Sequence, residues 1–323
     1  MQPERIWRHF PLPPMRAVYP IGSGLLHATY RIVTDEGDFV LQKLHGAIPD
    51  AAVEDMRVVT AYLAAHGLQV PTLVPTQDGK VLAHDEVGGR WRVYPWIRGH
   101  VVEALPDAAM ACEAGHLVGM LHRHLAALAY TPQGSIPHFH DTVFILAELR
   151  GVQAQLPAEG AALADTILAT LPALILTGAP QQLVHGDLKI SNLIFDEAGK
   201  AVGIIDFDTL LVHARAIDLG DALRSWCNRT AEDDPDATFH VAFFAAAEDG
   251  YAEAFGVPAR PEDSTVHLRA TRQIALELAA RFLIDVVRDK YFGFDMTRYP
   301  TRRAHNMARA LGQYHLAQTI PTP

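Results

Sequence analysis

Asp187 and Asn192, in the stretch His185-Gly186-Asp187-Leu188-Lys189-Ile190-Ser191-Asn192, are followed shortly by Ile205-Asp206-Phe207-Asp208. The order is H-x-D-x-x-x-x-N, then D-F-D. An attacking hydroxyl needs a carboxylate to orient and deprotonate it, and a nucleotide-bound cation needs an amide oxygen and a second carboxylate beside the triphosphate. Phosphoryl transfer uses that arrangement, because one loop must offer both base and metal ligand to the same phosphate. The spacing predicts Asp187 as catalytic base and Asn192 and Asp206 as Mg²⁺ ligands, whose hard oxygens suit that ion. Lys189 either neutralises the γ-phosphate or stays solvated. Asp208 either reaches a second Mg²⁺ or hydrogen-bonds the turn after its strand. His185 is expected to be buried and to hold the loop through hydrogen bonds. His122 and His124 do not share a helix face, so they make no metal pair.

A loop of this kind needs a second wall to hold the nucleotide, and the first third of the chain can form one. Gly22-Ser23-Gly24, ahead of a strand, would let backbone N–H groups approach phosphates, although such a pair of glycines is often only a turn. Lys43 closes the strand Phe39-Val40-Leu41-Gln42-Lys43, a position from which it would touch the α- and β-phosphates. Glu54 on the next helix would pair with it. The bland alternative for each is a surface charge. Tyr94-Pro95-Trp96-Ile97 would be a hinge, with Tyr94 and Trp96 offering apolar surface to adenine; otherwise they are packing aromatics.

The elements follow from periodicity. Segments 27–34 and 37–44 alternate like strands around Asp35-Glu36-Gly37, which predicts a hairpin. Residues 50–66 read as a helix. Beyond Pro95 the pattern turns helical over 107–129, 143–154, 160–174, 238–256 and 264–290, the last with apolar pairs recurring every fourth residue. One compact β unit interrupts them, Leu193-Ile194-Phe195 and Val202-Gly203-Ile204-Ile205. The expected fold is α+β and bilobal, protein-kinase-like, with a β-rich nucleotide-binding lobe over 1–96 and a helical lobe over 97–323.

Composition narrows the class. Apolar residues make up 49% of the chain, which excludes disorder for its bulk. Acidic side chains outnumber basic ones 37 to 27, for a net charge of −10, so nucleic acid is not an expected partner. Cys112 and Cys227 are too few and too isolated for a disulfide framework and read as reduced thiols. No apolar run is long enough for a membrane span, and Met1 to Pro14 carries no apolar leader, so a cytoplasmic, soluble protein is expected.

With these residues in place, the chain resembles the aminoglycoside phosphotransferase/choline kinase superfamily, through His185-Gly186-Asp187, Asn192 and Ile205-Asp206-Phe207. Protein kinases fit less well, since Gly186 stands for the Arg of H-R-D and Asp208 for the Gly of D-F-G. Within the superfamily it looks most similar to the N-acetylhexosamine 1-kinases. That likeness rests chiefly on Ile205-Asp206-Phe207-Asp208-Thr209, Leu219-Gly220-Asp221-Ala222-Leu223-Arg224 and Ala280-Arg281-Phe282-Leu283-Ile284-Asp285. The loop lacks an Asn after its His, and the hinge is Pro95-Trp96, not an acidic-aromatic pair. The resemblance implies ATP and Mg²⁺ as cofactors and a small sugar as substrate. It also implies Arg281 and Tyr291 on the sugar, with Asp187 addressing its anomeric hydroxyl. A plainer reading makes Glu277, Arg281 and Asp285 a salt-bridged helix edge. The alternatives are a kinase of another small alcohol (an aminoglycoside, choline or homoserine) and a nucleotide-binding pseudokinase.

Overall fold

The computed structural model describes residues 2–22, 27–256 and 261–322. Its N-terminal part is an antiparallel sheet of β1 (Ala17–Ile21), β2 (Ala28–Thr34), β3 (Gly37–Lys43), β4 (Ala83–His84) and β5 (Arg90–Pro95), in the order β1-β2-β3-β5-β4. The β2–β3 hairpin turns at Thr34-Asp35-Glu36-Gly37 as the sequence implies, and the Thr34 hydroxyl donates to the Gly37 carbonyl at 2.7 Å.

Strand alternation divides the sheet's residues between two different neighbours. On one face Ile32, Leu41, Trp91 and Val93 pack with Ile6 and Trp7 of α1 (Gln2–Trp7) and with Phe10. The other face carries Gln42, Arg92 and Tyr94, directed toward α2 (Asp50–Ala65) and the helical lobe.

Crossing to the helical lobe requires a close backbone approach at Gly99. A Cβ there would lie 2.4 Å from the Phe195 carbonyl, so only glycine lets His100 bridge to Phe195 through reciprocal backbone bonds of 2.9 and 2.8 Å. The lobe then runs through α3 (Ala108–Ala127), α4 (Thr142–Val152), α5 (Ala158–Thr170), α6 (Arg215–Trp226), α7 (Val241–Phe255), α8 (Pro261–Arg288) and α9 (Arg302–Thr319). Its core draws on nearly all of them, including Leu117 and Leu121 of α3, Leu223 of α6, Phe244 of α7, Phe282 and Leu283 of α8, and Leu316 of α9. Two hairpin-like pairs are set into it, β6 (Gln181–Val184) with β9 (Leu211–Ala214) and β7 (Leu193–Phe195) with β8 (Ala201–Ile204).

The expected helices and the β7–β8 unit all form within a few residues of their sequence limits. Elements that periodicity did not reveal are α1, β1, β6, β9, α6 and α9. In α6 and α9 the buried face itself carries charged and polar groups: Asp218, Asp221 and Arg224 in one, His305, Asn306 and Arg309 in the other. Among the described residues no helix is long and apolar enough to cross a membrane, and Cys112 and Cys227 are free thiols.

Candidate active site

The two strand pairs close the site. β6 leads into the loop 185–192, which returns as β7; β8 leads into 205–210, which returns as β9. Because Val184 registers with Leu211, and Leu193 with Ile204, the two loops are clamped side by side. That places Asp187, Lys189, Asn192, Asp206 and Asp208 together, as their spacing implies.

Side chains from outside fix the backbone of the first loop. Asp218 of α6 accepts from the backbone N–H groups of His185 (2.9 Å) and Gly186 (2.7 Å) and faces His122 Nε2 at 3.0 Å. Trp226 Nε1 donates to the Leu188 carbonyl at 2.9 Å, and Ile190 N donates to Ser225 Oγ at 2.9 Å. His185, fully buried, accepts from Asp187 N at Nδ1 (3.2 Å), so its Nε2–H donates to the Ile205 carbonyl (3.1 Å) and ties one loop to the other. This is the structural role expected of it. Gly186 takes φ +90°, and a Cβ there would stand 2.4 Å from the Thr209 carbonyl, so no larger residue fits at this crossing.

Lys189 Nζ donates to Asp187 Oδ2 at 2.6 Å, while Asn192 Nδ2 donates to the Asp187 carbonyl (2.8 Å) and to its Oδ2 (3.1 Å). Burial alone would raise the Asp187 carboxyl, but the Lys189 ammonium holds it below the ordinary value. With Nδ2 engaged, the Asn192 Oδ1 is left to accept a ligand. Asp206 sits in the left-handed region (φ 69°, ψ 58°), and its carboxylate accepts no hydrogen bond from any described residue. Burial pushes Asp206 up, and the Asp208 and Asp187 carboxylates push it further. A desolvated acid facing other acids, beside an open amide oxygen, is the donor set a hard divalent cation completes. Asn192 and Asp206 therefore fit the expected ligand role.

Asp208 differs. It is 3% exposed, accepting from Arg92 Nη1 at 2.6 Å and Nη2 at 2.8 Å, and from His27 Nε2 at 3.1 Å. The His45 backbone donates to His27 Nδ1, so the His27 proton sits on Nε2 and points at Asp208. Burial alone would raise Asp208; Arg92 and His27 instead hold it well below the carboxylate range. Ligand atoms of His27, Asp206 and Asp208 lie within 4.8 Å of one another, so Asp208 borders the cation position while its own charge is already answered.

The nucleotide wall departs from expectation. Gln42 and Lys43, adjacent on a strand, must face opposite ways. Gln42 turns inward, accepting from Arg92 Nε at 2.8 Å; Lys43 turns out over the Trp91 ring (5.4 Å) and pairs with Asp85 at 2.9 Å. Lys43 thus lies on the α1 side of the sheet, away from Asp206, and the buried cation on the inner face is Arg92. The expected Lys43–Glu54 pair does not form, since Glu54 is exposed and binds Arg57 one turn along. The inward carboxylate of α2 is Asp55, which accepts from Tyr130 OH (2.6 Å) and from the Gln133 and Gly134 backbone. Tyr94 shares the inner face with Arg92, and Trp96, just past β5, lies under Arg31 at 4.8 Å. Gly22 is exposed with open space around it, and Gly24 lies outside the described residues.

Arg281 and Tyr291 are brought together at 3.5 Å. The Arg281 guanidinium lies 5.0 Å from the Phe139 ring, 5.7 Å from Tyr291 and 5.6 Å from Phe292. The helix-edge salt bridges of the plainer reading are absent. Glu277 is buried against His140 and Thr142, and Asp285 accepts from the Lys290, Tyr291 and Phe292 backbone and from Asn306. Among the described residues Arg281 has no carboxylate partner. Sequence reasoning missed Asp218, Arg92, His27 and His140, which act through contacts distant along the chain. The only local sign was an acidic residue opening α6.

Comparison with known proteins places the chain among phosphotransferases. A homoserine kinase of Zymomonas mobilis is 26% identical over 64% of this chain and 64% of its own length. One of Gluconacetobacter diazotrophicus is 29% identical over 82% of this chain and 78% of its own length. Among solved structures, a microcompartment-associated aminopropanol kinase superposes with a TM-score of 0.68 at 18% identity, covering 99% of each chain. The amicoumacin kinase hAmiN, in complex with AMP-PNP, Ca²⁺ and Ami, gives 0.66 at 16% identity, covering 95% of this chain and 90% of its own. These two show the same fold. A model of the phosphotransferase enzyme family matches residues 18–256, and the chain belongs to that family.

Proposed function

We propose that this protein transfers the γ-phosphoryl group of ATP to a hydroxyl of a small polar molecule. The observation that carries the reading is the facing arrangement of Asp187, anchored by Lys189 and Asn192, and the unpartnered Asp206. Asp187 orients the acceptor hydroxyl and takes its proton. Lys189 keeps that carboxylate ionised and stands beside it as a positive charge for the transferred group. Asn192 and Asp206 would hold Mg²⁺, which when bound neutralises charge on the phosphates, as Ca²⁺ accompanies AMP-PNP in the amicoumacin kinase complex. Tyr94 and Trp96 would flank adenine at the junction of lobes 1–96 and 97–323. The retention of base, amide and carboxylate together favours turnover over a pseudokinase.

Two acceptors have specific support. The Arg281–Tyr291 pair, with its aromatic neighbours, suits a sugar ring presenting its anomeric hydroxyl to Asp187, as the resemblance to N-acetylhexosamine 1-kinases implies. The homoserine kinases among the relatives, and an Arg281 that lacks a carboxylate partner, favour an amino acid alcohol whose own carboxylate would supply one. ADP release from Mg-ATP, measured with N-acetylhexosamines, homoserine, aminopropanol, choline and aminoglycosides, separates them. Homoserine turnover with inert sugars removes the sugar reading. Turnover of a free hexosamine but not its methyl glycoside establishes the 1-hydroxyl as the site. Silence across the panel would sink the small-alcohol reading altogether.

A further inference from the structure

Two non-glycine residues separated by a single position hold left-handed backbone: His138 at φ 57° and His140 at φ 56°. Such conformations cost free energy and persist where the surroundings enforce them. The turn they form presents two side chains to different parts of the site. Phe139 meets the Arg281 guanidinium, and His140, 5% exposed, enters the space between the catalytic loop and α8. There His140 Nδ1 lies 2.9 Å from Glu277 Oε1, and Nε2 lies 2.8 Å from the Gly186 carbonyl oxygen.

The proton positions follow from the partners. A carbonyl oxygen only accepts, so Nε2 carries a hydrogen directed at Gly186. Glu277 Oε2 already accepts from the Thr142 hydroxyl, which in turn accepts from Gln273 Nε2 at 3.0 Å. A single proton then lies between Nδ1 and Oε1. Whether it rests on the imidazole or on the carboxyl, Nε2–H still donates to Gly186, so the contact survives either protonation state.

That carbonyl belongs to the peptide unit joining Gly186 to Asp187. The N–H of the same unit donates to His185 Nδ1, and the Gly186 N–H is held by Asp218. The plane of the peptide before Asp187 is thus gripped at its oxygen by His140 and at its nitrogen by His185. Its tilt sets ψ of Gly186 and φ of Asp187, and so the direction in which the Asp187 side chain leaves the backbone.

We propose that His140, supported by Glu277, is a positioning residue that aims Asp187 at the acceptor by fixing the Gly186 carbonyl. The inference rests on the reading of Asp187 as the base. It also connects the acceptor side to the chemistry, because the same turn carries Phe139 and the same helix carries Arg281, one turn beyond Glu277.

The test uses His140→Ala, His140→Gln and His140→Asn in the full chain, with Asp187→Asn alongside. A Gln amide reaches the position of Nε2 and restores the bond to Gly186; an Asn amide stops near Nδ1, though Asn suits left-handed backbone at least as well as His. Turnover of Mg-ATP is followed with the acceptor identified in the panel and, independently of any acceptor, as slow hydrolysis to water. Amide hydrogen exchange of the 185–192 segment is read with Mg-AMP-PNP bound. The expected result is a kcat lower by ~10- to 50-fold in the Ala and Asn variants, within ~3-fold of wild type in the Gln variant, with KM for ATP within ~2-fold throughout. Exchange at Gly186 to Leu188 should quicken by ~10-fold in Ala and Asn but not in Gln. Equal behaviour of Gln and Asn, or unchanged exchange and kcat in the Ala variant, overturns the proposal. If the Ala variant does not fold, the Gln–Asn contrast decides it. If Asp187→Asn turns over normally, the base assignment fails instead, and the exchange data still judge whether His140 holds the loop.

Discussion

The two walls of the cleft use charge in opposite ways. On the helical side, Asp206 is desolvated, faces two other carboxylates and accepts no bond from a described residue. Toward the sheet, the carboxylate of Asp208 is met by both Arg92 Nη atoms and by His27, and Arg92 Nε donates to Gln42. One wall is left electrostatically incomplete, to be satisfied by a ligand; the other is completed in advance and joins the lobes. A single residue, Phe207, separates Asp206 from Asp208, yet removing each should have a different kind of consequence: loss of ligand response for the first, loss of stability for the second.

The largest effect is expected at the completed wall. Arg92 and Asp208 are 2% and 3% exposed, so Arg92→Met leaves a buried carboxylate without its main partner. Breaking one side of such a pair costs about 3–5 kcal/mol. Chemical denaturation should show that loss, and Arg92→Met/Asp208→Leu should recover most of it because no charge is left stranded. A single variant as stable as wild type would mean that the pair does not hold the lobes together.

At the incomplete wall the effects should be on activity, not folding. Asp187→Asn keeps the shape and the bond from Lys189 but removes the base, and kcat should fall at least ~100-fold with ATP affinity nearly unchanged. Comparable kcat would remove Asp187 from the chemistry. Asp206→Ala should follow, with the Mg²⁺-dependent gain in ATP affinity reduced by ~10-fold or more. Because Asp206 is a half-buried acid whose pKa is raised by desolvation and by its carboxylate neighbours, the same change should not lower thermal stability. A variant that binds Mg-ATP as tightly as wild type would refute the ligand assignment.

How far the sequence could be read follows the same division. The convergence of Asp187, Asn192 and Asp206 was legible because it is local: their offsets hold whatever the rest of the chain does. The long helices were legible because α8 buries an apolar face. The helices α6 and α9 were not, since their inward faces carry Asp218, Asp221, Arg224, Asn306 and Arg309, and polar residues on a buried face erase the apolar period. Asp218 and His140 could not be assigned a role because each acts on Gly186 from a segment far away in sequence. The nucleotide wall misled for a subtler reason. Its strands were correctly placed, but a strand's two faces differ by one residue, and nothing in Val40-Leu41-Gln42-Lys43 says which face is inward.

That ambiguity yields the smallest predicted effect and the sharpest check on the comparison. A lysine ending the second hairpin strand is the natural choice for a phosphate contact, and on that choice Lys43→Ala would raise the KM for ATP strongly. The sheet register argues otherwise. Lys43 registers with Trp91, whose ring is buried against Ile6, Trp7 and Phe10, while Gln42 registers with Arg92 on the face toward Asp208. The Lys43 ammonium is about one-third exposed, and its ion pair with Asp85 is worth ~1 kcal/mol or less once solvent screening is counted. Lys43→Ala should therefore change the KM for ATP by less than ~2-fold and stability by less than ~1 kcal/mol. Gln42→Leu, one residue earlier, strands Arg92 Nε without its acceptor and should cost about 1–3 kcal/mol. Measuring both variants side by side tests the parity of a single strand. If Lys43→Ala weakens ATP binding 10-fold while Gln42→Leu is silent, the sheet presents its other face to the nucleotide, and the buried Arg92–Asp208 pair loses its claim to be the inner wall.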